Sequence, residues 1–165
     1  MLDVADLAFY LLSNAHLVPS VSFETRVSKS CEGDTGIVVP IVFTKPFESP
    51  VTLTYSVSGT ATLGPKNAGG DFVIAGYDGA TGVGTIPLSA GATQATIEVT
   101  VHDDALLEDT ESISLTLTGG SLQTYFLGSQ QGHTLYLDDN DGIWTSVLEL
   151  PDGPGYPSFD LEMVQ

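Results

Sequence analysis

Two stretches of this chain carry oxygen donors densely enough to do chemistry. The first, VHDDALLEDTE at 101–111, sets Asp103 and Asp104 before a short apolar step and Glu108, Asp109 and Glu111 after it, so one loop can fold carboxylates round an ion. The second, DDNDG at 138–142, adds Asp138, Asp139, Asn140 and Asp141. Two like charges about 4 Å apart repel by roughly 4 kcal/mol at an effective dielectric near 20, so a crowd of them calls for a cation.

Other chemistries fit less well. A glycosidase pair would use two carboxyl groups roughly 5 to 10 Å apart, but it needs a cleft with aromatic walls, and the acidic loops contain almost no aromatics. An EF-hand fails because setting Gly142 on that loop's required glycine puts Leu137 where the first Asp belongs. The nonapeptide calcium-roll repeat is absent. His16, His102 and His133 show no metal-ligand spacing and read as satisfied structural or surface residues. Cys31 stands beside Glu32, whose anion raises a thiol pKa, the wrong direction for a nucleophile. Trp144 and Tyr156 read as packing residues. The expected function is non-enzymatic.

Composition narrows the partners. With 21 Asp plus Glu against 4 Lys plus Arg, the formal charge is -17, and the cations Arg26, Lys29, Lys45 and Lys66 are too few for phosphate binding. Nucleic acid and an anionic bilayer are excluded as electrostatic partners. At 42% hydrophobic residues the chain can still bury a core. One cysteine makes neither an internal disulfide nor a thiolate zinc site. No apolar run approaches the roughly 20 residues of a membrane helix, and Asp3 and Asp6 stand where a signal peptide would carry Lys or Arg.

The elements that position the acids read as strands. Val21, Phe23, Thr25 and Val27 alternate with polar residues over 21–28, a period of two. Further segments follow at 36–45, 51–58, 82–88, 95–102, 111–118 and 133–138, with Gly, Asn, Asp and Pro between them. Pro40 and Pro87 point to edges or bulges in two of these. The expectation is an all-β, seven-stranded antiparallel Greek-key sandwich of immunoglobulin-like type. Residues 1–19 precede it as a short helix, with Val4, Leu7, Ala8, Leu11, Leu12 and Ala15 on one side and Pro19 closing it. Residues 144–165 follow as an extension or linker.

Strands running pole to pole sort their connections between two ends. One end collects Glu32, Asp34, Asp71, Asp78, Asp103, Asp104, Glu108, Asp109, Glu111, Asp138, Asp139 and Asp141, and the other has Glu48. Asp is a common turn residue, so solvated turns would distribute acids over both ends. Concentration at one end predicts a hard divalent cation. Calcium takes 6 to 8 oxygens in flexible geometry, while magnesium demands a tighter octahedron, so calcium fits better.

In order, VSFET at 21–25, CEG at 31–33, SGTA at 58–61, GDF at 70–72, GTIPLSAG at 84–91 with Gln94, the 102–111 loop and LDDN at 137–140 together resemble the Calx-beta module of sodium/calcium exchangers and adhesion proteins. The resemblance covers about residues 20–143. It implies a seven-stranded sandwich binding several calcium ions at one pole. By position it places Glu32, Asp71, Asp103, Asp104, Glu108, Glu111, Asp138 and Asp139 as ligands, joined by the Leu106 carbonyl. Two departures stand out: Ala105 replaces a third Asp, and Asn140 replaces the last Asp of a triplet, keeping a carbonyl ligand but losing a charge. The connection between the third and fourth segments is enlarged by LGPKNAG at 63–69 and YDGATG at 77–82.

The expected function is a calcium-rigidified structural or adhesion module of an extracellular or surface assembly, whose partners are other protein subunits. A virion component, capsid-decorating or tail-associated, is the alternative.

Overall fold

The computed structural model describes residues 18–119 and 124–142. The expected helix at 1–19 and the extension at 144–165 fall outside this range, apart from Val18 and Pro19.

Eleven strands are present among the described residues: β1 Ser20–Phe23, β2 Val27–Cys31, β3 Ile37–Phe43, β4 Val51–Gly59, β5 Phe72–Ile74, β6 Tyr77–Asp78, β7 Val83–Leu88, β8 Gln94–Val101, β9 Glu111–Thr118, β10 Phe126–Leu127 and β11 Gly132–Asp138. A five-stranded sheet, β10-β1-β3-β8-β5, faces a six-stranded one, β2-β11-β9-β4-β7-β6. The sandwich is as expected. The count of seven and the purely antiparallel pairing are not.

Each of the seven segments carries a strand, and the excess comes from four places. The first segment splits, because the chain leaves one sheet after Phe23 and joins the other at Val27. Phe23 N donates to Gln130 O at 2.8 Å and Glu24 N to Pro40 O at 3.0 Å on one side, and Thr134 N donates to Arg26 O at 2.8 Å on the other. Burial by alternation stops with the switch, so Val27, expected inside, is 52% exposed. Both halves then pair in parallel, β1 with β10 and β2 with β11, which makes both sheets mixed. Short β5, β6 and β10 supply the remainder; with two or three residues each they carry no periodic signal.

Pro40 lies inside central β3 rather than at an edge. Its carbonyl points toward β1, where it accepts from Glu24 beyond the end of that strand, so its missing donor falls where the ladder has already stopped. Pro87 in β7 lies opposite Thr52, past the reach of β6, which pairs only with Val83 and Gly84.

Alternation elsewhere builds the core. Val39 and Ile41, Leu53 and Tyr55, Ile97 and Val99, Ile113 and Leu115, and Leu135 and Leu137 all point between the sheets and are buried. Burying side chains of this kind is worth about 1.5–3 kcal/mol each. His133 joins them at 2% exposure. It is satisfied at the seam where the first segment changes sheets: Nδ1 donates to Thr25 O at 2.9 Å, and Nε2 accepts from Ser28 Oγ at 2.9 Å.

Candidate metal centre

Four chain segments meet at one end of the sandwich: the turn after β2, the connection from β4 to β5, the loop from β8 to β9, and the residues after β11. They are stitched together by main-chain bonds, Glu32 N to Asp138 O at 3.1 Å and His102 N to Asp71 O at 2.7 Å. Glu108 N also donates to Asp139 Oδ2 at 2.9 Å. The rigid strand ends therefore force acids far apart in sequence into one volume.

Two groups of carboxylates result, Glu32 with Asp139 and Asp141, and Asp71 with Glu108 and Glu111. In each, one oxygen per residue lies within 4.8 Å of the others. Glu32 is only 8% exposed, and its Oε2 and Asp141 Oδ2 are buried without a hydrogen-bond partner. A buried carboxylate oxygen left unpaired is costly unless a cation meets it.

The electrostatics point the same way. Burial, then the charge of Asp104, pushes Glu32 up; the Asp104 N–H partly offsets this, and Asp139 and Glu108 add to the rise. Burial followed by the charges of Asp71, Asp104 and Asp139 raises Glu108. Burial followed by Asp139, Asp103 and Asp104 raises Asp141. Glu111 is pushed up to about 7 by burial, then by the Asp71 carboxyl beside it and the charges of Glu108 and Glu32. The upward shifts reflect negative charge crowded into partly buried volume, which a bound cation would relieve.

The remaining residues singled out in the sequence take varied places. Asp103 Oδ1 accepts from Asn140 Nδ2 at 3.0 Å, and the same nitrogen donates to Glu32 O at 2.8 Å. Asn140 thus presents its amide hydrogens to two of the segments. Asp104 Oδ1 accepts from Leu106 N at 2.7 Å, and the Leu106 side chain is 62% exposed. Asp138 lies outside both groups, 3.7 Å from Lys29 Nζ and accepting from Thr110 Oγ1 at 2.9 Å. Asp34 and Asp78 cap their own turns. The Cys31 N–H and then the Ser30 hydroxyl hold Asp34 low, and the Ala80 N–H and then Thr81 do so for Asp78.

Asp141 is the member that the family positions leave out. Its signal was the spacing: Asp139 and Asp141 stand two apart, and alternate residues of an extended segment share a face.

The six residues of the two groups all offer carboxylate oxygens at one pole, which suits a hard cation with many ligands. No protein-family profile and no curated protein sequence matches the chain. Solved structures do. The apo-form Calx CBD1 domain superposes with a TM-score of 0.58 at 19% identity, covering 75% of this chain and 99% of that one. The chain has the Calx-beta fold.

The same Calx-beta architecture appears in the calcium binding domain CBD12 of CALX1.1, with a TM-score of 0.57 and 22% identity over 73% of this chain and 44% of that one. A two-domain protein of unknown function from Bacteroides fragilis matches with a TM-score of 0.51 at 13% identity, over 82% of this chain and 50% of that one. At these identities the likeness is one of fold. Within the Calx-beta fold the acid pole is this chain's own composition of residues. No helix among the described residues is long and apolar enough to cross a membrane.

Proposed function

We propose that the acid pole binds calcium and that the protein is a non-enzymatic module whose loops the ion makes rigid. The observation that carries this reading is the buried, unpartnered pair of oxygens, Glu32 Oε2 and Asp141 Oδ2, inside a group of three carboxylates. The ligands belong to four segments, so an ion there would bond the loops to one another as well as neutralise them. From the sequence-derived set we assign Glu32, Asp71, Asp103, Asp104, Glu108, Glu111 and Asp139, and we add Asp141. As a rigid acidic end on a β-sandwich, the pole suits a structural or adhesive part of a surface assembly, with other protein subunits as partners.

Calcium titrated against thermal unfolding tests this, with EDTA as control. Binding to the folded state alone stabilises by about 2.7 kcal/mol at a hundredfold excess over Kd, so melting should rise clearly. No shift at millimolar calcium overturns the reading. Glu111→Ala should lower calcium affinity, while Glu48→Ala, in the connection after β3 at the opposite end, should not. Equal behaviour contradicts the assignment of the pole.

A further inference from the structure

Lys66 opens a one-turn 3₁₀ segment, Lys66–Ala68, in the connection between β4 and β5. The turn is built into a fixed mount. Gly69 takes φ 73° and returns its amide to Lys66 O at 3.2 Å. Gly70 passes so close to Gly64 that a Cβ there would meet the Gly64 backbone at 2.3 Å. The base of the loop is tied down, with Gly64 N donating to Phe72 O at 2.9 Å and His102 Nδ1 donating to Gly70 O at 2.6 Å.

From this mount the Lys66 ammonium donates to the main-chain carbonyl of Asp103. The Asp103 side chain accepts from Asn140 Nδ2, which also donates to the Glu32 carbonyl, so the residue that Lys66 holds is bonded into the segment that carries Glu32. Other cations are engaged elsewhere: Lys29 with Asp138 outside both groups, and Arg26 Nε with Gln130 Oε1 at 2.6 Å on the seam. A main-chain carbonyl is an oxygen that calcium takes readily. An ammonium is a compact point charge on a flexible stem, able to leave when a stronger cation arrives.

We propose that Lys66 is a tethered resident cation: it steadies the ion-free pole by holding the Asp103 carbonyl, and it lowers calcium affinity by its charge and by occupying that oxygen. This rests on the calcium reading above. The enlarged connection that carries Lys66 is then a device for setting the affinity of the pole.

The test compares the full chain with Lys66→Met and with Lys45→Met, which removes the same charge from the connection after β3 at the opposite end. Calcium binding is measured by titration calorimetry and ion-free stability by thermal unfolding in EDTA. Lys66→Met should bind calcium roughly three- to tenfold tighter, the order expected for removing one charge near a divalent ion. It should also melt at a lower temperature than the natural chain in EDTA, and Lys45→Met should leave calcium affinity unchanged. Unchanged or weaker calcium binding by Lys66→Met overturns the competition, as does an equal gain in Lys45→Met. If the natural chain binds no calcium, the site reading and the competition both fall, and the EDTA melting comparison still decides whether Lys66 steadies the pole.

Discussion

Glu111, at the start of β9, and Asp71, just ahead of β5, bring carboxylate oxygens within 4.8 Å of each other at the acid pole. Burial, then the Asp71 carboxyl and the neighbouring charges, push Glu111 up to about 7.

Stability of the ion-free protein should therefore fall as pH rises. Unfolded Glu111 releases its proton near 4.5 and the folded group near 7, so between these values the folded state binds more protons and deprotonation favours unfolding. In EDTA the melting temperature should decline from about pH 5 to about pH 7.5, and saturating calcium should flatten the decline by replacing the proton with an ion. Glu111→Gln should flatten the EDTA profile too. A profile in EDTA that is flat for the natural chain contradicts the raised Glu111 carboxyl.

Glu32→Gln separates stability from binding. The substitution removes a buried carboxylate with an unpartnered oxygen, so the ion-free protein should gain stability, on the order of 1 kcal/mol. Calcium affinity should drop by about tenfold or more, since an anionic ligand is lost. Chemical denaturation in EDTA and calorimetric titration give the two numbers, and a loss on both would mean that Glu32 acts as a structural acceptor.

The two ends of the DDND run should respond differently. Asp138 faces Lys29 and Thr110, whereas Asp141 faces Glu32 and Asp139. Asp141→Asn should weaken calcium binding by about tenfold, and Asp138→Asn by no more than about twofold. The reverse order, read by the same titration, would restore the assignment drawn from family positions.

Gly84→Ala tests the core beneath the pole. A Cβ at Gly84 would lie 2.0 Å from Tyr55 Cζ, in a ring that is 1% exposed. Overpacking of this kind costs about 1–3 kcal/mol. Unfolding free energy should fall by that amount, and melting with it, with and without calcium, because the clash is between β7 and β4 and touches no acid. Unchanged melting would mean that the Tyr55 ring can shift aside.

Much of the architecture could be read from period alone. Alternation located strands where β3, β4, β7, β8, β9 and β11 lie, because each has one face against the core. His133 was rightly read as a satisfied structural residue. The sheet switch after Phe23 was not legible: Val21, Phe23, Thr25 and Val27 alternate without interruption, while pairing to Gln130, Pro40 and Thr134, all distant in sequence, determines where the strand breaks. Strands of two or three residues, such as β6 and β10, exist only through a neighbour's edge.

The sequence by itself determined that the acids would crowd one end, because strand alternation and connection order follow from local pattern and chain direction. Which oxygens face one another was decided only by the tertiary structure. Asp138 and Asp141 are chemically alike and three residues apart, yet one turns to Lys29 and the other to a buried glutamate. The direction depends on what the neighbouring strands place beside each side chain. The same holds for Lys66, whose ammonium meets the carbonyl of Asp103, a residue far from it in sequence.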